Sequence, residues 1–283
     1  MARSFRDIER YARGFETKMD HLVPGAVVAV QIGNHEDWPA VFIACLHKRL
    51  VILPLDQSIG DQQRDAALDI CKASVLVSAV SGESSPQIIR AKTADTALEW
   101  GENVPSLLKL TSGTTAAPRA IRFRSHQLLA DCNQICDTMG ISDDDLNFGV
   151  IPVSHSYGFS NLLTPLIARG VPMVVSQDRT PRAVLGDLAR TDATVFPGTP
   201  AFYQALCDIG DLPLLPKLRV CISAGAPLSS AVAKKFFEKF KQPIHSFYGA
   251  SECGGICYDR CGTTFEDGLV GQPMRGVEVA LMF

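Results

Sequence analysis

Short apolar runs alternate with amphipathic stretches along most of the chain. Runs of this length are typical of strands that are buried on both faces of a sheet. In the stretch from Ser229 to Lys241, apolar residues recur at Val232, Phe236 and Phe240, and serines at its start can cap a helix. Strands separated by such helices predict an α/β fold with largely parallel sheets. The predicted strands are 27–32, 50–53, 75–80, 107–111, 148–152, 171–175, 194–196, 218–222 and 244–248.

The alternation weakens at two places. Residues 81–105 turn polar around SGESSP, which indicates a surface excursion rather than a domain boundary. Near residues 140–145, in the polar segment ISDDDLN, the alternation of apolar runs and amphipathic stretches stops and then begins again. We place a soft boundary between two α/β subdomains there.

Composition and charge limit the kinds of function that the protein can have. The 283 residues are 46% hydrophobic and 20% charged, enough for one large or two ordinary domains of a soluble globule. A net charge of -3 offers no attraction to polyanions, so we expect no nucleic-acid or anionic-membrane partner. The charged N-terminal stretch is not a signal peptide, and no apolar run approaches the ~18 residues of a membrane span. We therefore expect a cytoplasmic protein.

The nine cysteines leave two alternatives open. Cys253, Cys257 and Cys261 could form a metal site, since they recur every fourth residue. However, no CxxC pair is present and the spacings match no zinc template, so reduced thiols are favoured.

The segment 110–121, LTSGTTAAPRAI, carries the clearest chemistry, and we call it the phosphate loop. A glycine and short hydroxyl side chains allow several backbone N–H groups and hydroxyls to converge on one anion. Pro118 stiffens the exit, and Arg119 can supply a cation to a phosphate. A polar surface turn is the less favoured alternative, and the Walker motif GxxxxGK[ST] is absent. The candidate phosphate ligands are Thr111, Ser112, Gly113, Thr114, Thr115 and Arg119.

This segment resembles the phosphate-binding loop of the adenylate-forming superfamily, [ST]SG[ST]TGxPKG, which includes acyl-CoA synthetases and aryl-CoA ligases. The chain departs from that pattern at Ala116, Arg119 and Ala120. The arginine keeps the positive charge but is bulkier than lysine. The resemblance implies that ATP is the bound nucleotide, with Thr114 among the catalytic residues.

Three further segments follow in the family's order. VSHSYGF, 153–159, resembles the segment whose histidine, here His155, lies between acid and nucleotide. SAGAPL, beginning at Ser223, follows a predicted strand and resembles the turn along the adenine; by itself it could be any strand-to-helix turn. YGASE, 248–252, matches the family's YGx[ST]E. The candidate nucleotide ligands here are Ser223, Ala224, Gly225, Ala226, Pro227, Tyr248, Gly249, Ala250 and Ser251.

The residue types in YGASE suit the chemistry of ATP. An aromatic ring at Tyr248 can stack on adenine, and the hydroxyl of Ser251 can donate to the α-phosphate. The carboxylate of Glu252 can hold Mg²⁺, and we count His155, Thr114 and Glu252 as the catalytic set.

The resemblance covers nearly the whole chain and implies its organisation. It implies two stacked βαβ-type subdomains, 24–140 and 141–265, with an N-terminal helix in 1–23 that packs on the second. Residues 266–283 resemble the entry to a small β-barrel. Family chains continue into a TGD-type aspartate and a lysine-bearing C-terminal domain. We therefore expect this chain to be an N-terminal core that binds ATP, with the acid as a second ligand, but turns over poorly.

The implied reaction is ATP-dependent activation of a carboxylic acid to acyl-AMP, followed in the full enzyme by transfer to the thiol of CoA or of a carrier protein. Amino-acid-activating branches place an aspartate in the region of 153–159, whereas VSHSYGF has no carboxylate. A buried ammonium without a partner is costly, so a fatty or aryl acid is favoured. The alternatives are a non-catalytic nucleotide- or acyl-binding module of the same fold and an unrelated α/β nucleotide protein. The absence of GxGxxG after the first strand and of a Walker loop argues against the second.

Overall fold

The computed structural model describes residues 2–79, 85–91, 98–111, 119–176, 178–210 and 213–280. It has an α/β architecture that divides into two compact units: unit 1 comprises Met1–Leu128 and Val153–His155, and unit 2 comprises Leu129–Pro152 and Ser156–Phe283. The helices are α1 Phe5–Lys18, α2 Trp38–His47, α3 Asp61–Cys71, α4 Ser125–Met139, α5 Ser156–Gly158, α6 Thr164–Arg169, α7 Pro181–Thr191, α8 Pro200–Cys207 and α9 Ser230–Phe240.

Unit 1 contains a six-stranded sheet in the order β4-β3-β1-β2-β5-β6. Its four central strands are parallel, and β4 and β6 are antiparallel to their neighbours at the two edges. Apolar residues of the central strands pack with α3 in one buried cluster that includes Val27, Leu53 and Leu68. The strands are β1 Val27–Gln31, β2 Val51–Pro54, β3 Ala73–Ser78, β4 Gln87–Arg90, β5 Leu107–Thr111 and β6 Arg119–Phe123.

The N-terminal helix α1 lies in unit 1, where it packs beside α2, and its expected packing on the second subdomain stays a prediction. Ser4 caps α1 in a reciprocal arrangement with Asp7, and the helix buries Ile8 and Phe15 on the face that contacts α2. Polar pairs between α1 and the α2 region reinforce this packing: Arg3 with Glu36 and Asp37, Glu16 with His47, and Asp20 with Lys48. A buried apolar stripe and complementary charges thus place the helix beside α2.

Unit 2 contains a seven-stranded sheet in the order β13-β12-β11-β10-β9-β7-β8. Strands β8, β7, β9, β10 and β11 are parallel, and β12 and β13 extend the sheet in antiparallel pairing. One buried cluster joins Ile135 of α4 to Ile222 and Phe247 of the sheet. The strands are β7 Asn147–Gly149, β8 Met173–Val175, β9 Val195–Gly198, β10 Val220–Ser223, β11 Ile244–Ala250, β12 Gly254–Tyr258 and β13 Gln272–Pro273.

Every strand predicted from an apolar run is present, and the fold class is confirmed: both sheets are largely parallel and flanked by helices. The helix predicted for 229–241 is α9, with Ser229 as its N-cap. The strands that the pattern did not predict, β4, β6, β12 and β13, are all antiparallel additions. Three of them, β4, β6 and β13, are largely exposed and so lack a continuous apolar run, whereas β12 is mostly buried.

The C-terminal stretch, residues 266–283, resembles the entry to a small β-barrel in its sequence. Within the described residues after β13, up to residue 280, no further strand forms, and the entry to a small barrel stays a prediction. In the described part of the chain, no helix has the length and apolar character needed to cross a bilayer.

Candidate active site

In unit 1, the ends of two neighbouring strands hold the short segment 153–155. Asn34 follows β1 and accepts a hydrogen bond from the Val153 N–H through Oδ1 at 2.9 Å. Asp56 follows β2, which pairs in parallel with β1, and its Oδ2 accepts from the Ser154 Oγ at 3.2 Å. The carboxyl ends of parallel strands meet at one edge of a sheet, where α/β proteins place ligands.

Asp56 also contacts the predicted catalytic histidine. His155 Nε2 lies 3.0 Å from Asp56 Oδ2, and the His155 side chain is 61% exposed. The Asp56 Oδ1 accepts from the backbone N–H and the hydroxyl of Ser58, at 2.8 and 2.5 Å. Partial burial opposes ionisation, but the Ser58 hydrogen bonds, His155 and the Ser154 hydroxyl together lower the pKa of Asp56. Asp56 is therefore an ionised, fully engaged carboxylate at neutral pH.

The phosphate loop connects the antiparallel strands β5 and β6, in which Thr111 pairs with Arg119. Arg119 begins β6 and is exposed. The predicted phosphate ligands between these two, Ser112, Gly113, Thr114 and Thr115, lie outside the described residues. Their role stays a prediction.

In unit 2, SAGAPL begins at the last residue of β10. The Ala224 N–H donates to the Gly198 carbonyl at the end of β9, and Gly225 turns the chain with a φ of 86°. Gly225, Ala226 and Pro227 are exposed. The turn thus presents small residues at the carboxyl edge of the sheet.

Ser223 ends β10 with an unusual hydroxyl. The residue is 2% exposed, and its Oγ has no hydrogen-bond partner among the described residues. A buried hydroxyl without a partner is costly. It is the kind of group that a bound polar ligand can satisfy.

YGASE ends β11 and forms the turn into β12. The Cys253 N–H donates to the Ala250 carbonyl across the turn, which leaves Glu252 exposed. The pairing with β12 shifts register between Tyr248 and Gly249. A side chain at Gly249 would approach the Gly254 carbonyl oxygen to 2.7 Å, which explains the glycine. Tyr248, 50% exposed, offers much of its ring to a partner.

The two motifs predicted to bind nucleotide, SAGAPL and YGASE, lie next to each other in unit 2. Strands β10 and β11 are parallel neighbours, with Ser223 paired to Ser246, so SAGAPL and YGASE follow the same edge of the sheet. A flat base can therefore meet both the small-residue turn and the exposed Tyr248 ring.

The segment that begins at Ser156 is tied to this edge. The Ser156 hydroxyl donates to the Ser251 hydroxyl at 3.1 Å, and the Tyr157 hydroxyl donates to the Ile222 carbonyl at 3.0 Å. Burial raises the pKa of Tyr157 well above its ordinary value, so it stays a neutral donor. Tyr157 anchors this segment, a role that sequence reasoning missed although VSHSYGF includes it.

The helix that follows contains a π-helical segment, Phe159–Leu163, between α5 and α6. Pro165 has no N–H to donate to the Asn161 carbonyl four residues earlier. The buried Asn147 replaces that donor, with Nδ2 3.1 Å from the Asn161 oxygen, and the Thr164 hydroxyl donates to the Ser160 carbonyl. Irregular turns of this kind are frequent at functional sites. The pattern of apolar residues in the sequence gives no indication of this π-helical segment.

Within the described residues, no group of three or more His, Cys, Asp or Glu side chains is arranged to hold a metal ion. All nine cysteines are free thiols, and Cys253 and Cys261 are exposed. Glu252 is thus an isolated carboxylate at its turn.

The family model for the AMP-binding enzymes matches residues 3–282. The chain is 28% identical to the naringenin synthase of Pestalotiopsis fici over 200 residues, which are 67% of this chain and 7% of that protein. It is 24% identical to the feruloyl-CoA synthase of an Amycolatopsis species in an alignment covering 98% of this chain and 59% of the relative. This chain therefore spans less than two thirds of these curated relatives.

The fold is shared with solved structures. A benzoate CoA ligase from Burkholderia xenovorans LB400 superposes with a TM-score of 0.81 at 18% identity. The match covers 97% of this chain and 61% of the ligase. Such a likeness shows the fold alone.

Proposed function

Because the chain belongs to the AMP-binding enzyme family, we propose that it is the nucleotide- and acid-binding part of a ligase that activates a carboxylic acid as acyl-AMP with ATP. In the complete enzyme the acyl group then passes to a thiol, that of CoA or of a carrier protein. The observation that carries the proposal is the alignment of SAGAPL and YGASE at one sheet edge, beside the unpartnered Ser223 hydroxyl.

The residues of unit 2 bind the base and the α-phosphate in this proposal. Adenine stacks on Tyr248 and lies along the backbone of Gly225, Ala226 and Pro227. The Ser251 hydroxyl, oriented by Ser156, contacts the α-phosphate. One exposed carboxylate with phosphate oxygens and water is a suitable donor set for Mg²⁺, so Glu252 would hold the ion, which neutralises charge on the polyphosphate.

The remaining roles fall to residues of unit 1. The phosphate loop, from Thr111 to Arg119, binds the β- and γ-phosphates, and His155 contacts the reacting carboxylate. The chemical step is attack of the acid carboxylate oxygen on the α-phosphorus with release of pyrophosphate. Alignment and charge stabilisation supply most of the rate in such a displacement.

The acid is of the fatty or aryl class, without an α-amino group. Residues 153–159 contain no carboxylate, and the neighbouring Asp56 accepts three hydrogen bonds within unit 1 and lies within ion-pair distance of His155. It is therefore not a spare anion for a substrate ammonium. The names of the relatives agree with this class, since feruloyl and benzoyl groups derive from acids without an amino group.

Binding of a non-hydrolysable acyl-AMP mimic tests the proposal without requiring turnover. Calorimetry would compare AMP with acyl-sulfamoyl adenosines that carry cinnamoyl, benzoyl, palmitoyl or aminoacyl groups. We expect one aryl or fatty mimic to bind at least about 100-fold more tightly than AMP, because it fills both halves of the site. Equal affinity for AMP and all mimics would instead indicate a nucleotide-binding module without an acid site. Preference for an aminoacyl mimic would refute the substrate class.

A further inference from the structure

The turn between β11 and β12 carries two residues of the proposed nucleotide site, Ser251 and Glu252. The turn is short, because β11 ends at Ala250 and β12 begins at Gly254. On one side it is held by the Ser156 hydroxyl, which donates to the Ser251 hydroxyl at 3.1 Å. The geometry of so short a turn also depends on what holds its other end, where β12 begins.

That other end lies against a carboxylate of α4. Gly255 is buried, and its backbone N–H donates to Asp131 Oδ1 at 2.9 Å. Gly254 has a φ of 80°, and a Cβ atom at this position would collide with the same carboxylate oxygen. Both the left-handed backbone and the closeness of the carboxylate therefore require glycine at 254.

The helix that carries Asp131 is anchored under the same two strands. Cys132, the next residue, and Ile135, one turn further on, are completely buried. They share one core cluster with Phe247 of β11 and Tyr258 of β12. Because close-packed cores deform little, the distance between Asp131 and the start of β12 is fixed by the packing of unit 2.

We propose that Asp131 is a positioning residue for this turn, whose Gly255 N–H it holds so that Ser251 and Glu252 face the phosphates and Mg²⁺. A backbone N–H bonds more strongly to a carboxylate than to a neutral acceptor. Phosphate-binding groups lose much of their effect when they are displaced by about 1 Å. The consequence for ligand binding rests on the proposed function, whereas the hold on the turn does not.

The same helix offers a matched control for a purely structural role. Thr138 Oγ1 accepts a hydrogen bond from the Arg275 N–H at 3.0 Å. Asp131 and Thr138 therefore each hold one backbone N–H of a later segment, but Thr138 holds the residues after β13 instead of the YGASE turn. Thr138→Val removes this acceptor at nearly constant side-chain volume.

Amide hydrogen exchange of the chain without nucleotide tests the contact itself. We expect slow exchange at Gly255 in the wild type and in Asp131→Asn, whose amide oxygen can still accept. Asp131→Ala should speed exchange at Gly255 about 10-fold or more, and Thr138→Val should leave it unchanged. Exchange of wild-type Gly255 at the rate of a free amide would overturn the proposal, as would an unchanged rate in Asp131→Ala.

Calorimetry with two ligands separates positioning from general stability. In the proposed site Mg²⁺-ATP meets Ser251 and Glu252, whereas adenosine meets only Tyr248 and the SAGAPL turn. We expect Asp131→Ala to weaken Mg²⁺-ATP binding about 10-fold and adenosine binding by less than about 2-fold. Asp131→Asn should restore most of the affinity for Mg²⁺-ATP, and Thr138→Val should change neither affinity.

Two binding results would contradict the proposal. Equal losses of both ligands in Asp131→Ala would indicate a general defect of unit 2, and an unchanged affinity for Mg²⁺-ATP would leave the turn without need of Asp131. If the wild-type chain binds neither ligand, the proposed function fails, whereas the exchange of Gly255 still decides whether Asp131 holds the turn.

Discussion

The two units use the carboxyl ends of their parallel strands in opposite ways. In unit 1, Asn34 and Asp56 at the ends of β1 and β2 are engaged by the chain itself, through Val153, Ser154 and His155. In unit 2, the ends of β10 and β11 leave Tyr248 and Glu252 exposed and the Ser223 hydroxyl unpartnered among the described residues. The first edge therefore holds the segment 153–155, whereas the second leaves polar and aromatic groups exposed or, in the described part of the chain, without a partner. Substitutions at the first should affect stability, and those at the second should affect binding.

The largest expected effect on stability is at Asp56. Asp56→Ala removes the acceptor of three hydrogen bonds and should lower the free energy of unfolding by about 1 to 3 kcal/mol, reduced by partial solvent exposure. Glu252→Ala, at an exposed carboxylate, should change it by no more than about 0.5 kcal/mol. Urea unfolding of both variants makes the comparison. Similar losses would remove the distinction between the two edges.

The pH dependence of the Asp56 effect has a definite sign. The folded-state pKa of Asp56 is lowered, so its ionisation stabilises the fold above the ordinary value of 3.8 and less as pH falls through the folded value. Asp56→Asn should therefore lose stability relative to wild type at pH 7, and the difference should shrink below that ordinary value. Urea titrations of both proteins at pH 7 and at a pH below that ordinary value measure the difference. A stability difference between wild type and Asp56→Asn that grows as the pH falls would contradict the lowered pKa of Asp56.

At the second edge, Tyr248→Ala should weaken ATP binding by about 1 to 2 kcal/mol and leave stability unchanged, because the half-exposed ring has little packing to lose. Leu214→Ala is the control, since this exposed residue precedes β10 and lies away from the strand's carboxyl end. Calorimetry and urea unfolding measure the two quantities. A large loss of stability without loss of affinity would assign Tyr248 to the fold.

The smallest expected effect separates two buried serines of unit 2. Ser176 Oγ donates to the Asp178 carbonyl, whereas Ser223 Oγ has no partner among the described residues, and each serine is 2% exposed. Ser176→Ala should lower the free energy of unfolding by about 0.5 to 1.5 kcal/mol, and Ser223→Ala by less, or not at all. Addition of ATP should stabilise the wild type and Ser176→Ala against unfolding, and should stabilise Ser223→Ala less. Equal effects with and without ATP would remove Ser223 from the nucleotide site.

The sequence predicts the parallel part of the fold well, because strands such as Val51–Pro54 are buried on both faces and must be apolar throughout. It fails for edge strands such as Gln87–Arg90, which is mostly exposed and therefore has no apolar run to reveal it. The position of an edge strand depends on tertiary contacts, which the local pattern of residues does not show.

The residues of the candidate site also differ in how far the sequence predicts them. Glu252 and Tyr248 were found because their motif is contiguous in the sequence. Asp56 and Asn34 were not singled out, since about a hundred residues separate them from the segment that they bind. PLD at 54–56 was a visible signal for Asp56, whereas Asn34 offered none.

The most direct test of the central claim is calorimetric titration of ATP with and without Mg²⁺ into wild type and Glu252→Gln, with Glu238→Gln on α9 as a control of equal charge change. The account predicts that Mg²⁺ strengthens ATP binding to the wild type and the control, and that Glu252→Gln loses that gain. An equal Mg²⁺-dependent gain in all three proteins would contradict it, because Glu252 would then have no part in holding the ion.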